Sequence, residues 1–119
     1  MADRDLSALT AAQTAAAIAS GAFSSEEVTR ACLDRIEAAE DTVKAFAHLD
    51  PEFALTQARE SDHWRRSGRP IGPLHGVPVA VKDIIETADW PTECGSPLLA
   101  GRRPRMTQPW FQNCARRGR

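Results

Sequence analysis

Gly72-Pro73-Leu74-His75-Gly76-Val77-Pro78-Val79-Ala80-Val81-Lys82-Asp83 decides how this chain is read. Val77, Val79, Ala80 and Val81 form a short apolar run of the kind that enters an interior as a strand, with Lys82 at its end. The chain has only two lysines, Lys44 and Lys82. An ammonium carried inside loses hydration, so its pKa falls and it becomes a candidate neutral base near pH 7. The plainer alternative is a strand-end lysine whose head swings into water.

Upstream of this run the sequence predicts three helices. Thr10 caps an alanine-rich helix that ends at Ser20, with Gly21 as its stop. Ser24 or Ser25 caps a second helix to about Glu40, with Glu26 and Glu27 favourably placed in its first turn. Val28, Cys32, Ile36 and Ala39 share one face of it, and the first helix, with Leu9 and Ile18, is the nearest apolar partner in sequence. Residues 44–49 read as a strand. Asp50-Pro51 opens a third helix reaching about Arg66, ended by Ser67-Gly68-Arg69-Pro70. Phe53 reads as packing and Trp64 as half-buried near the helix end.

Composition bounds the possibilities. With 119 residues, 42% hydrophobic and 26% charged, the chain makes one small globular domain at most. No apolar run approaches the ~18 residues of a membrane span, and no basic-then-apolar leader is present, so a cytoplasmic location is the default expectation. Cys32, Cys94 and Cys114 show no metal or redox pair spacing and read as unpaired thiols. His48 and His63 stand without a second ligand at metal spacing and read as surface residues.

Downstream of Lys82, Thr92, Gly95, Ser96 and Pro97 lie in Pro91-Thr92-Glu93-Cys94-Gly95-Ser96-Pro97-Leu98-Leu99-Ala100-Gly101. Together with the run that ends at Lys82-Asp83, this loop resembles the opening of the amidase signature family of serine amide hydrolases, and the likeness extends from the helical N-terminal half to about Met106. The resemblance implies an α/β fold, truncated here to its N-terminal part, in which helices lead into a mixed β-sheet core. It implies a Ser, cis-Ser, Lys triad in which Lys82 is the general base, relayed through the bridging serine to a nucleophile that attacks an amide carbonyl. It places His75 and Gly76 on the active-site wall, and Thr92, Gly95 and Ser96 near the site. Asp89 and Trp90 depart from the glycine and small or apolar residue common at those positions, which leaves substrate preference open. No metal or organic cofactor is implied, and the expected partner of the intact enzyme is a small-molecule amide, with neither membrane nor nucleic acid expected.

The other two triad members are not found. After Lys82 the only serine is Ser96, and the glycines are Gly95, Gly101 and Gly118. Ser24-Ser25, the one serine pair, reads as a helix cap. The 119 residues are therefore expected to be inactive alone, and no substrate-contact residue is assigned.

Residues 107–119 are expected to be a separate tail after a family segment of residues 1–106. Charge changes abruptly nearby: residues 1–100 carry a net −7 and residues 101–119 a net +6. Arg102, Arg103, Arg105, Arg116, Arg117 and Arg119 admit a second functional class, a small non-catalytic protein binding anions through an arginine-rich tail. Pro109, Trp110 and Phe111 interrupt that basic group. A shifted reading frame accounts for the tail more directly. Family members of this kind continue into a helix resembling Asp-Ala-Ala-Val-Val-Ser-Glu-Leu-Arg-Ala-Ala-Gly-Ala, and in one codon spelling the loss of its first base yields Thr107 through Arg119 completely. Trp110-Phe111 forces a valine in the original frame and Asn113-Cys114 a leucine, both at positions suiting an amphipathic helix.

Overall fold

The computed structural model describes residues 5–116, with side chains as far as Gln112. Among the described residues there are four α-helices: α1 (Ala11–Ser20), α2 (Ser25–Val43), α3 (Pro51–Arg66) and α4 (Pro109–Arg116). Short 3-10 turns occupy Leu6–Ala8 and Pro97–Leu99. The expectations for the Cys114 thiol and for Arg116, Arg117 and Arg119 concern side chains outside this description.

The first three helices start and stop where local chemistry requires. Thr10 accepts from Gln13 N–H at 3.3 Å while the Gln13 side chain accepts from Thr10 N–H at 2.9 Å, a reciprocal capping box. Gly21 ends α1 in the left-handed region at φ +76°, and Ala22 N–H donates to Ala17 O at 3.0 Å. Ser24 and Glu27 repeat the box at the start of α2. Asp50 accepts from Phe53 N–H at 2.9 Å, with Pro51 in the first turn of α3. Helix α2 runs three residues past the expected Glu40 and stops at Lys44, itself left-handed at φ 51°.

Three expectations need correction. Residues 44–49 form no strand, because the chain leaves Lys44 in a left-handed turn and no neighbouring backbone pairs with it. Among the described residues no strand is found at all, so the mixed sheet expected around Lys82 is absent here. A strand exists only when its N–H and C=O groups meet those of a partner strand, and among the described residues the backbone bonds of residues 77–82 are only local turns, Val77 N–H to Leu74 O and Ile85 N–H to Lys82 O. The apolar face of α2 packs chiefly against α3 and the Leu6–Ala8 turn, not against α1. The core is correspondingly thin: Ile18, Val28, Leu55 and Ala58 are its buried hydrophobic residues among those described.

Buried polar groups do much of the joining. Asp62 on α3, 2% exposed, accepts from Ser25 N–H at 2.8 Å and from Glu26 N–H at 3.0 Å. A carboxylate thus sits on the first-turn amides of α2, where the helix dipole favours negative charge. At the surface the same two helices are tied by Arg59, which pairs with Glu26 at 3.0 Å and with Glu52 at 2.8 Å. Such exposed pairs contribute little beside the buried carboxylate. Asp62→Asn leaves one acceptor for two donors and is expected to cost about 1 to 2 kcal/mol of stability. Denaturant titration followed by circular dichroism checks this, and an unchanged midpoint rules the cap out as a stabilising contact.

Candidate active site

Lys82 lies between two anchored parts of the chain. The first anchor is the turn at His75-Gly76. Gly76 adopts φ +74°, and a Cβ built on it falls 3.0 Å from Ser25 Cβ and Oγ and 3.3 Å from Ile18 Cγ2. Only glycine brings the backbone this close to both α1 and α2. Ser25 Oγ donates to Gly76 O at 2.6 Å, and the buried His75 ring has Nε2 2.8 Å from Ser61 O. The turn therefore fastens the chain to all three helices. Ser24 and Ser25 divide their work: the first caps α2, while the second is buried and holds this turn.

The second anchor is Asp83. Its carboxylate accepts from Glu93 N–H at 2.8 Å and from Gly95 N–H at 3.2 Å, while its carbonyl accepts from Cys94 N–H at 3.1 Å. These bonds fold the loop of residues 92–102 back beside Lys82. Thr92, 1% exposed, donates its N–H to Arg102 O at 2.9 Å, and Gly101 N–H reaches Glu93 Oε1 at 2.6 Å. Glu93 Oε2 also meets His48 Nε2 at 3.3 Å, so the 44–50 segment is tied to the loop. Cys94 and Gly95 take positive φ, 52° and 65°, to make the reversal. Arg102 pairs with Glu86, and Gln108 N–H donates to Glu86 O at 3.0 Å.

The Glu93 N–H, followed by those of Gly95 and Cys94, holds the Asp83 carboxyl below its ordinary 3.8. A carboxyl whose folded pKa is depressed supports the fold above the unfolded pKa and loses that support as pH falls through the folded value. The 92–102 loop is thus expected to stay docked at neutral pH and to loosen only in acid below pH 3.8. The amide proton shifts of Glu93 and Gly95, followed by NMR, should titrate together with a midpoint below the usual aspartate value, and a midpoint at or above it contradicts this anchor.

Lys82 itself is exposed, and Val79 and Val81 beside it are 72% and 36% exposed. The interior into which the run was expected to carry the lysine is not found among the described residues, where Val79, Ala80, Val81, Lys82 and Ile84 are all exposed. The structure brings Lys82, Asp83, Thr92 and the Gly95-Ser96 turn into one region of connected backbone. His75 is buried against α3, with its Nε2 2.8 Å from Ser61 O. Two open hollows lie elsewhere: one is lined by Arg59, His63, Trp64 and Arg69, the other by α1 and residues 71–75, and neither includes Lys82. Among the described residues no group of three or more His, Cys, Asp or Glu side chains is placed to hold a metal ion. No helix among them is long and apolar enough to cross a membrane.

Asp62 and Asp83 are the residues that inspection of the sequence missed. A carboxylate directly after a candidate catalytic lysine, ten residues ahead of a Glu-Cys-Gly turn, is the signal available for Asp83. For Asp62, on a charged helix face between Ser61 and His63, no local signal exists. Phe53 is in packing contact as expected: its ring meets Trp90 edge-on at 5.0 Å, which gives the departure at Trp90 a structural use. Trp64 donates Nε1–H to Pro70 O at 3.0 Å and is covered by the Arg69 guanidinium at 4.6 Å.

Lys82 thus stands on a segment braced by a helical clamp on one side and a carboxylate-anchored loop on the other. The family model Amidase matches residues 27–108, and the chain belongs to that family. It is 54% identical over 100 residues to a glutamyl-tRNA(Gln) amidotransferase subunit from Salinispora arenicola, and 49% identical over the same length to its counterpart from Chloroflexus aurantiacus. Each match takes in 84% of this chain and 20% of the relative, so the chain spans about a fifth of the length of these relatives. Among solved structures, the peptide amidase of Stenotrophomonas maltophilia superposes with TM-score 0.81 at 36% identity, covering 98% of this chain and 23% of that one. A fatty acid amide hydrolase superposes with TM-score 0.85 at 28% identity, covering 95% and 20%. The helices and loops described above are thus laid out as in amidase-signature folds.

Proposed function

We propose that this chain supplies the general-base portion of a hydrolase that cleaves C–N amide bonds, and that its 119 residues do not turn over amides alone. The observation that carries this reading is the family match across residues 27–108, which includes Lys82 and both anchors around it. In the complete reaction Lys82 takes a proton through a bridging serine, a serine oxygen attacks the amide carbonyl, and backbone N–H groups hold the oxyanion. As the tetrahedral intermediate collapses the C–N bond breaks, and the amine leaves with the proton returned from Lys82 through the bridging serine. Water then hydrolyses the acyl-serine ester to release the acid. Neither serine is available here, since Ser96 alone follows Lys82. Assay of the purified 119-residue chain against simple primary amides is expected to show no hydrolysis above buffer. Activity that disappears in Lys82→Ala would overturn the proposal.

Residues 107–119 are read as the product of a shifted frame, with residues 1–106 as the family segment. The family match, ending at residue 108, supports that boundary, although Ala88 N–H donates to Thr107 Oγ1 at 3.0 Å and ties the start of the tail to the loops. Sequencing the gene through this region tests it: restoring one base should open a frame for a serine- and glycine-rich segment. Two of the arginines of the alternative anion-binding reading are already engaged within the chain, Arg102 with Glu86 and Arg103 with Asp89 O at 3.3 Å.

A further inference from the structure

One of the two hollows is built around a cation without a counter-charge. It measures about 440 Å³ and lies on the exposed side of α3 and the turn that follows, between Arg59, Glu60, His63, Trp64, Ser67 and Arg69. That volume is of the size that holds small organic ligands. Most of its wall is fixed by bonds already made. Trp64 Nε1–H donates to Pro70 O at 3.0 Å, which orients the indole across the turn, and Ser67 Oγ donates to Trp64 O at 2.7 Å. Arg59 is spent on Glu26 and Glu52, so it lends the hollow its aliphatic stem and not a free charge.

Arg69 differs from these. Its guanidinium lies 4.6 Å from the centre of the Trp64 ring, and among the described residues no carboxylate pairs with it. Stacking on an indole holds a guanidinium in place without using its in-plane N–H donors. The surroundings then select the anion. Glu60 stands on the rim, and the hollow lies at the C-terminal end of α3, where the helix dipole is negative. Both disfavour a dianion such as phosphate. A carboxylate carries a single charge and matches the guanidinium fork with two parallel bonds. An apolar ring attached to it covers the indole and the Arg59 stem.

We propose that this hollow is a binding site for a small aromatic monocarboxylate, with the carboxylate on Arg69 and the ring against Trp64. The site does not include Lys82 and stands independently of the role given to that residue.

The test titrates benzoate into the purified 119-residue chain at neutral pH and follows the Trp64 indole N–H by NMR, with Trp64→Phe assigning that signal among the three tryptophans. The signal should move to saturation with a Kd of about 1 mM, and the amides of Ser67 and Arg69 should shift with the same midpoint. Arg69→Ala should weaken binding about ten- to hundredfold, the loss of one charge-assisted pair. Arg69→Lys should recover only part of that loss, because an ammonium has no fork. Arg69 is exposed, so the remaining amide spectrum of both variants should match the parent. Benzyl alcohol, which lacks the charge, acetate, which lacks the ring, and inorganic phosphate should each bind at least about tenfold more weakly than benzoate. An indole signal that stays fixed up to about 10 mM benzoate overturns the proposal. So does any of the three comparison compounds binding as tightly as benzoate, or an Arg69→Ala chain that keeps the parent affinity.

Discussion

Lys82→Ala, placed in residues 1–106 joined to the remaining portion of an amidase relative, should lower kcat for amide hydrolysis by about 10² to 10⁴, the contribution of one general base. In the 119-residue chain the same substitution should change stability by less than about 0.5 kcal/mol, because the side chain is exposed and holds no part of the described fold together. This separation of effects distinguishes a proton acceptor from a packing residue. An equal loss of stability and turnover would assign Lys82 a structural role. A kcat within threefold or so of the parent would remove it from the proposed chemistry.

Gly76→Ala should be the most damaging single-carbon addition in the chain, costing about 3 kcal/mol. Roughly 1 to 2 kcal/mol comes from placing a Cβ in the left-handed region, where Gly76 sits at φ +74°. A further 1 to 3 kcal/mol comes from the clash itself. Ser25 lies 3.0 Å from the new carbon and cannot step aside, since its N–H is held by Asp62 and its Oγ by the carbonyl of Gly76. Gly95→Ala supplies the control: its φ is +65°, but no atom lies within 4 Å of the added carbon, so only the backbone cost of about 1 kcal/mol should remain. Denaturant titrations of both variants, with hydrogen exchange at the first turn of α2, measure the difference. Equal losses would mean that the contact between the turn and α2 contributes nothing.

These results follow from contacts of very different visibility in the sequence. The caps at Thr10, Ser24 and Asp50 and the stop at Gly21 were legible because each is completed within a few residues of itself. The partner of α2 was not. Its apolar face suits either neighbouring helix, and α3 prevails because Asp62 reaches the first turn of α2 while Leu55 and Ala58 pack inward. His75-Gly76 was legible as a special turn, but its approach to all three leading helices was not. A glycine required for close approach looks the same whether it approaches a substrate or a helix. The run through Val81 shows the same limit from the other side, for its composition announces a strand while no strand is found among the described residues.

Local hydrogen bonding and side-chain pattern, read from the sequence alone, determined the three leading helices, their ends and the likeness of the Lys82 segment to amide hydrolases. Tertiary structure alone decided that Asp62, Ser25 and Gly76 lock those helices together, that Asp83 anchors the loop beside Lys82, and that residues 79–82 between the anchors are exposed. The physical reason is range. A cap is satisfied within one helical turn, whereas a buried carboxylate, a close backbone approach and a paired strand each need a partner tens of residues away, or on another stretch of polypeptide.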